Sequence, residues 1–188
     1  MTKKTKKQWL VVSLVAAGMS APVVAGTQTP APAAPAVELK VGDPAPAFSL
    51  PGTDGKTHTL AQYKGKAVVI AWYPAAFTSG CTAECKSFAE NGPVLKQFDV
   101  AYFMASVDTP EKNKAFAEQE KADFPLLSDP DKTVATAYGV LNARGTANRW
   151  TFYIGADGKI AYIEKQVNAQ TAGPQLAAKL AELGVKKK

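Results

Sequence analysis

Tyr73-Pro74-Ala75-Ala76-Phe77-Thr78-Ser79-Gly80-Cys81-Thr82-Ala83-Glu84-Cys85 is the stretch on which the reading of this 188-residue chain turns. Residues 67–73, which lead into it, read Ala-Val-Val-Ile-Ala-Trp-Tyr: apolar throughout, β-branched and aromatic. Such a run predicts a central strand buried on both faces. Pro74 ends it. Residues 79–98 then read as helical, with apolar Phe88, Val94, Leu95 and Phe98 and a break at Asn91-Gly92-Pro93. Cys81 therefore falls in the first turn of a helix that follows a buried strand. Backbone N–H groups and the positive end of the helix stabilise a thiolate there, and the thiolate is the reactive form of the side chain. Thr78 lies three residues earlier, so its hydroxyl can reach the sulfur or a substrate oxygen. Pro74 has no N–H and can wall off one side of a pocket.

The rest of the chain supplies a frame for that stretch. Phe48-Ser49-Leu50 reads as a short strand, Asp54-Gly55 as a turn and residues 57–60 as its return, a small opening hairpin. Residues 100–107 form a second buried strand. Thr109-Pro110 begins a helix running to Lys121, with proline at the first helical position. Asp129-Pro130 is expected to begin another in the same way, ending at Tyr138-Gly139. Residues 149–154 and 159–164 are two strands joined by Gly155-Ala156-Asp157-Gly158, and residues 174–183 close the chain as an amphipathic helix with Leu176, Leu180 and Leu183 on one face. The order predicts an α/β, thioredoxin-like layout, a central mixed sheet with helices on both faces. Trp72 and Trp150 belong to strands and read as core or pocket-wall aromatics.

Composition narrows the chemistry. With 46% hydrophobic and 20% charged residues the chain is ordinary globular material. Two cysteines and one histidine are too few for a Cys/His metal cluster. Of 22 lysines and arginines, Lys3, Lys4, Lys6 and Lys7 lie at the start, leaving 18 against 16 acidic residues. A nucleic-acid partner calls for a basic stripe on the folded body, so none is expected. The lysines precede a short apolar run, Leu10 to Ala17, and then Val23-x-Ala25. The apolar run is too short to span a membrane comfortably, and with these flanks it reads as part of a signal peptide over residues 1–25. A Pro/Ala-rich linker follows at 26–37 and the folded domain at 38–188. A periplasmic location is expected, with no stable membrane association once the signal is removed. Lys186 to Lys188 read as a frayed basic tail.

The sequence resembles the peroxiredoxins, most closely the Q type, also called bacterioferritin comigratory proteins. The likeness covers most of residues 41–183. Pro74, Thr78 and Cys81 match the family's Pro-x3-Thr-x2-Cys motif. Val41-Gly42-Asp43-Pro44-Ala45-Pro46-Ala47-Phe48 is similar to its opening segment, and Phe124-Pro125-Leu126-Leu127-Ser128-Asp129 and Ala137-Tyr138-Gly139-Val140 to later landmarks. Arg149 matches its active-site arginine. The resemblance implies a peroxiredoxin fold and a thiol-dependent peroxidase acting on hydrogen peroxide and organic hydroperoxides. It implies Cys81 as the peroxidatic nucleophile, Thr78 and Arg149 orienting the peroxide and stabilising the thiolate, and Pro74 shielding the sulfur. It calls for no metal, flavin or haem. A thioredoxin-like protein is the implied reductant, and a monomer or weak dimer the expected state.

Cys85 departs from the pattern. In Q-type proteins with a nearby resolving cysteine, that residue usually lies five positions after the first; here the gap is four. Residues i and i+4 share a helix face with Cβ atoms ~5–6 Å apart, whereas a disulfide wants ~3.8 Å. Two readings follow: Cys85 resolves Cys81 through local unwinding, or Cys81 works alone with external thiols. A thioredoxin-like thiol–disulfide oxidoreductase is the alternative on the same fold. Against it stand the Cys-x3-Cys spacing and the lack of proline in Asn148-Arg149-Trp150-Thr151. A third reading is a tethered binding domain with a static Cys81–Cys85 bond, which would close too small a loop to staple much. His58, the lone histidine, reads as a solvated hairpin residue rather than a partner for Cys81.

Overall fold

The computed structural model describes residues 38–188; the signal peptide and linker expected over 1–37 lie outside them. A two-stranded hairpin opens the domain, β1 (Ser49–Pro51) antiparallel to β2 (Thr57–Thr59), with Leu50 opposite His58. The main sheet is built from β3 (Ala67–Trp72), β4 (Val100–Ser106), β5 (Leu126–Ser128), β6 (Trp150–Ile154) and β7 (Ile160–Glu164), in the order β5-β4-β3-β6-β7. Strands β3, β4 and β5 run parallel; β6 pairs antiparallel with β3, and β7 with β6. The sheet is mixed, as expected. All six residues of β3 are buried, which is why its sequence is apolar without alternation.

The pleat divides the core in two. Val69, Ala71 and Tyr73 face α1 (Ser79–Glu90), α2 (Gly92–Leu95), α3 (Pro110–Gln119) and α5 (Ala172–Glu182) through Cys85, Phe88, Leu95, Phe116, Leu176 and Leu180. Val68, Ile70 and Trp72 face α4 (Thr133–Ala137) and the hairpin, through Val134, Tyr138, Phe48 and Leu50. Helix α5 approaches α1 at a glycine. A Cβ on Gly173 would stand 2.1 Å from the Ser87 carbonyl oxygen, and the Gly173 N–H donates to Ser87 Oγ at 3.0 Å.

Three expectations change and one strand is added. Asp129-Pro130 does not start a helix: α4 begins at Thr133, after Lys132 in the left-handed region at φ 60°. The Asp129 carboxylate instead accepts from the Ala135 N–H at 2.7 Å, tying a turn to the helix that follows. Residues 126–128 form a strand that the apolar pattern was too short to announce. The closing lysines are not frayed, because Asp99 N–H donates to the Lys186 carbonyl and Lys188 N–H to the Gln97 carbonyl, both at 2.7 Å. Nor is His58 solvated. It is buried between Tyr63, whose hydroxyl lies 2.6 Å from Nδ1, and Asp54, 3.0 Å from Nε2, with its ring against Phe103. None of the helices among the described residues is long and apolar enough to cross a membrane.

Candidate active site

Strand register explains how two residues 68 positions apart meet. Trp72 at the end of β3 lies opposite Trp150 at the start of β6. The residue before β6 is therefore placed beside the segment that leaves β3, and that residue is Arg149. Its Nη2 donates to Cys81 Sγ at 3.2 Å. Cys81 is the third residue of α1, fully buried, with Thr78 as the extended N-cap residue at φ −86° and ψ 147°. The sulfur thus sits among the unpaired N–H groups of the first helical turn, with a guanidinium against it. Gly80 makes room for this approach: a Cβ there would stand 3.0 Å from Arg149 Nη2.

Arg149 holds a second acidic side chain. Its Nη1 donates to Glu84 Oε2, and Glu84 is fully buried. Burial pushes the Glu84 carboxyl up to about 7, and the charge of Arg149 only partly offsets this. For Arg149, burial works against the charge, but Glu84 and Cys81 together hold it firmly protonated. Glu84 Oε1 has no hydrogen-bond partner. One guanidinium is therefore shared between a sulfur and a carboxyl, which fixes its plane over the helix start. Sequence reasoning missed Glu84, although a residue three after Cys81 on one helix shares its face. It also missed Gly80, whose role depends on a contact from a distant strand.

The other expected residues are placed as follows. The Thr78 hydroxyl donates to the Ala75 carbonyl at 3.0 Å and is exposed; among the described residues the one hydrogen bond to Cys81 Sγ comes from Arg149. Pro74 is half-buried where the chain leaves β3. Cys85 lies one turn beyond Cys81 and is fully buried in the same core; both thiols are free. Burial, followed by the charges of Glu120, Glu84 and Cys81, pushes the Cys85 thiol up to about 12. His58 belongs to the opposite core layer, with Phe103 and Tyr63, and takes no part here.

A buried thiol in a helix start, held by a guanidinium, has the surroundings that favour a reactive thiolate. Comparison with known proteins gives the family. Residues 41–163 match the AhpC/TSA family. The chain is similar to the peroxiredoxin Bcp of Escherichia coli, 39% identical over 132 residues, which is 66% of this chain and 85% of that one. Among solved structures it is similar to the peroxidoxin BcpB of Mycobacterium tuberculosis, with a TM-score of 0.70 at 30% identity, over 77% of this chain and 98% of that one. The fold is also that of PrxQ from Xylella fastidiosa, with a TM-score of 0.73 at 23% identity, over 79% of this chain and 99% of that one. The chain belongs to the AhpC/TSA family, as a peroxiredoxin of the Bcp or Q type. It is an enzyme, a thiol-dependent peroxidase, and the reading as a non-enzymatic binding domain is set aside.

Proposed function

We propose that Cys81 is the peroxidatic cysteine and that Cys85 resolves it, in a periplasmic enzyme recharged by a thioredoxin-like dithiol. The observation that carries the reading is the 3.2 Å contact from Arg149 Nη2 to Cys81 Sγ at the start of α1. The Cys81 thiolate attacks the terminal oxygen of ROOH. An S–O bond forms, the O–O bond breaks, and RO⁻ leaves to take up a proton as alcohol or water. Sulfur is oxidised to the sulfenic acid. Charge gathers on the leaving oxygen, and Arg149 with the helix-start N–H groups is placed to meet it. The Thr78 hydroxyl joins them by leaving the Ala75 carbonyl for a bound peroxide.

Cys85 then attacks the sulfenic sulfur, expelling water and forming the disulfide. In the folded helix its thiol is pushed up to about 12, a poor nucleophile near neutral pH. Regular i,i+4 spacing also holds the two Cβ atoms too far apart. Both facts support resolution through unwinding of the first turns of α1, which hydrates Cys85 and frees its geometry. A reductant dithiol supplies two electrons to restore both thiols. Peroxide turnover by separate Cys81→Ser and Cys85→Ser variants tests the assignment. Cys81→Ser is expected to lose peroxide reduction, and Cys85→Ser to accumulate sulfenic acid and pass to sulfinic acid at high peroxide. Wild-type protein that stops at sulfenic acid with Cys85 still a thiol would leave Cys81 working alone.

A further inference from the structure

We propose that Asp108 is a positioning residue for peroxide attack, acting through the backbone of the loop that carries Cys81. The proposal rests on Cys81 being the peroxidatic residue. Parallel pairing of β3 and β4 lays their carboxyl ends side by side, with Trp72 opposite Ala105. Asp108 follows β4 by two residues and reaches across to the loop that follows β3. Its Oδ2 accepts from the Ala76 N–H at 2.7 Å and from the Ser106 hydroxyl at 3.2 Å. Its Oδ1 takes the Lys112 ammonium at 2.6 Å. The Asp108 side chain is 11% exposed. Among the described residues it makes no hydrogen bond to Cys81 or Arg149, so any effect on the sulfur passes through the main chain.

The clamp holds a strained place. Phe77, next to Ala76, has φ 67°, in the left-handed region that aromatic residues rarely adopt and that persists only where the surroundings impose it. Asp108 fixes the residue before it. Phe116 of α3 takes the Phe77 ring edge-on, with centroids 5.3 Å apart. Behind them the Tyr73 hydroxyl donates to Asn113 Oδ1 at 2.7 Å, and Asn113 Nδ2 donates to Ser128 Oγ at 2.8 Å. Asn113 is fully buried. Helix α3 thus offers Lys112, Asn113 and Phe116 as a cradle for residues 73–77, and α1 starts two residues later. Arg149 precedes β6, and its guanidinium is bonded to Glu84 and Cys81, both on α1. Releasing Ala76 loosens the loop that sets the start of α1, and with it the aim of Cys81 at a bound peroxide; a misplacement of about 1 Å can cost ~10²-fold in rate.

The test uses the reduced full chain and stopped-flow reaction with hydrogen peroxide. Asp108→Ala is expected to lower the second-order rate constant by about tenfold or more. Asp108→Asn, whose side-chain carbonyl still accepts from Ala76, is expected to recover most of that loss. A wild-type rate in Asp108→Ala overturns the proposal, and so does an Asp108→Asn rate as low as that of Asp108→Ala, which would assign the effect to charge. Should Asp108→Ala fail to fold, amide exchange in wild-type protein decides: protection of the Ala76 N–H in the reduced state is expected, and free exchange there refutes the clamp. Cys81→Ser runs alongside. If it is inert, a negative result at Asp108 refutes the clamp alone; if it still reduces peroxide, both readings fall.

Discussion

Arg149 serves two acidic partners with one charge, and its removal reaches both. In Arg149→Ala the Cys81 sulfur loses the donor at 3.2 Å, and in the proposed attack the leaving oxygen loses a charged group beside it. The rate constant for peroxide attack is expected to fall ~10²–10³-fold, the usual loss for one such donor, read by stopped-flow with hydrogen peroxide. Glu84 predicts a pH effect. Its folded value, about 7, stands above the ordinary 4.5, so the folded protein keeps this proton longer than the unfolded chain. The resulting stability is complete below about pH 4.5 and is lost as pH rises through about 7. Glu84→Gln cannot ionise, so its unfolding free energy in urea titration is expected to gain on wild type between those limits, by about 1–3 kcal/mol. Cys81 and Arg149 were legible because a short motif and one strand start carry them. Glu84, Gly80 and Asp108 were not, because each acts through a partner brought from elsewhere by the sheet.

At the scale of elements, legibility followed length and turn chemistry. Strand β3 and helix α1 were plain from long one-sided or apolar runs, and the three-residue β1 and β2 were marked by the Asp54-Gly55 turn between them; β5, equally short, pairs parallel with β4 and has no hairpin turn to mark it. Asp129-Pro130 carried a helix-start signal, yet the Asp129 carboxylate reaches beyond its own turn to Ala135, and the start moved to Thr133. The closing ladder was invisible for another reason: its bonds are main-chain to main-chain, and lysine side chains do not advertise them. Removing Lys186–Lys188 deletes the two 2.7 Å bonds to Gln97 and Asp99. At ~0.5–1.5 kcal/mol each, the expected loss is about 1–3 kcal/mol in denaturant titration, with the peroxide rate unchanged because the ladder joins the amino end of β4, far along the strand from Asp108.

For the whole molecule, the sheet separates a layer that carries the chemistry from one that supports it. Val68, Ile70 and Trp72 pack under α4 and the hairpin and contribute nothing to the sulfur. On the other layer, the proposed cycle asks α1 to unwind while the sheet stays folded. Amide exchange on reduced and oxidised protein is expected to show new opening over residues 79–85 and none in β3, β4 or β6. Opening spread across the sheet would mean global loosening instead.

Where that opening ends follows from Gly173. Its N–H is bound to Ser87 Oγ at 3.0 Å, and its Cα packs so closely on α1 that no larger residue fits without a shift. Ser87 comes two residues after Cys85, so the seam between the two helices begins almost where a Cys81–Cys85 bond would stop pulling. The fold therefore behaves as a hinge with a built-in stop. In the proposed cycle, distortion from the sulfur–sulfur bond would be absorbed within about two turns, before the seam with α5 and the closing ladder. On that proposal, a reductant would tell the oxidised form from the reduced one by the opened end of α1.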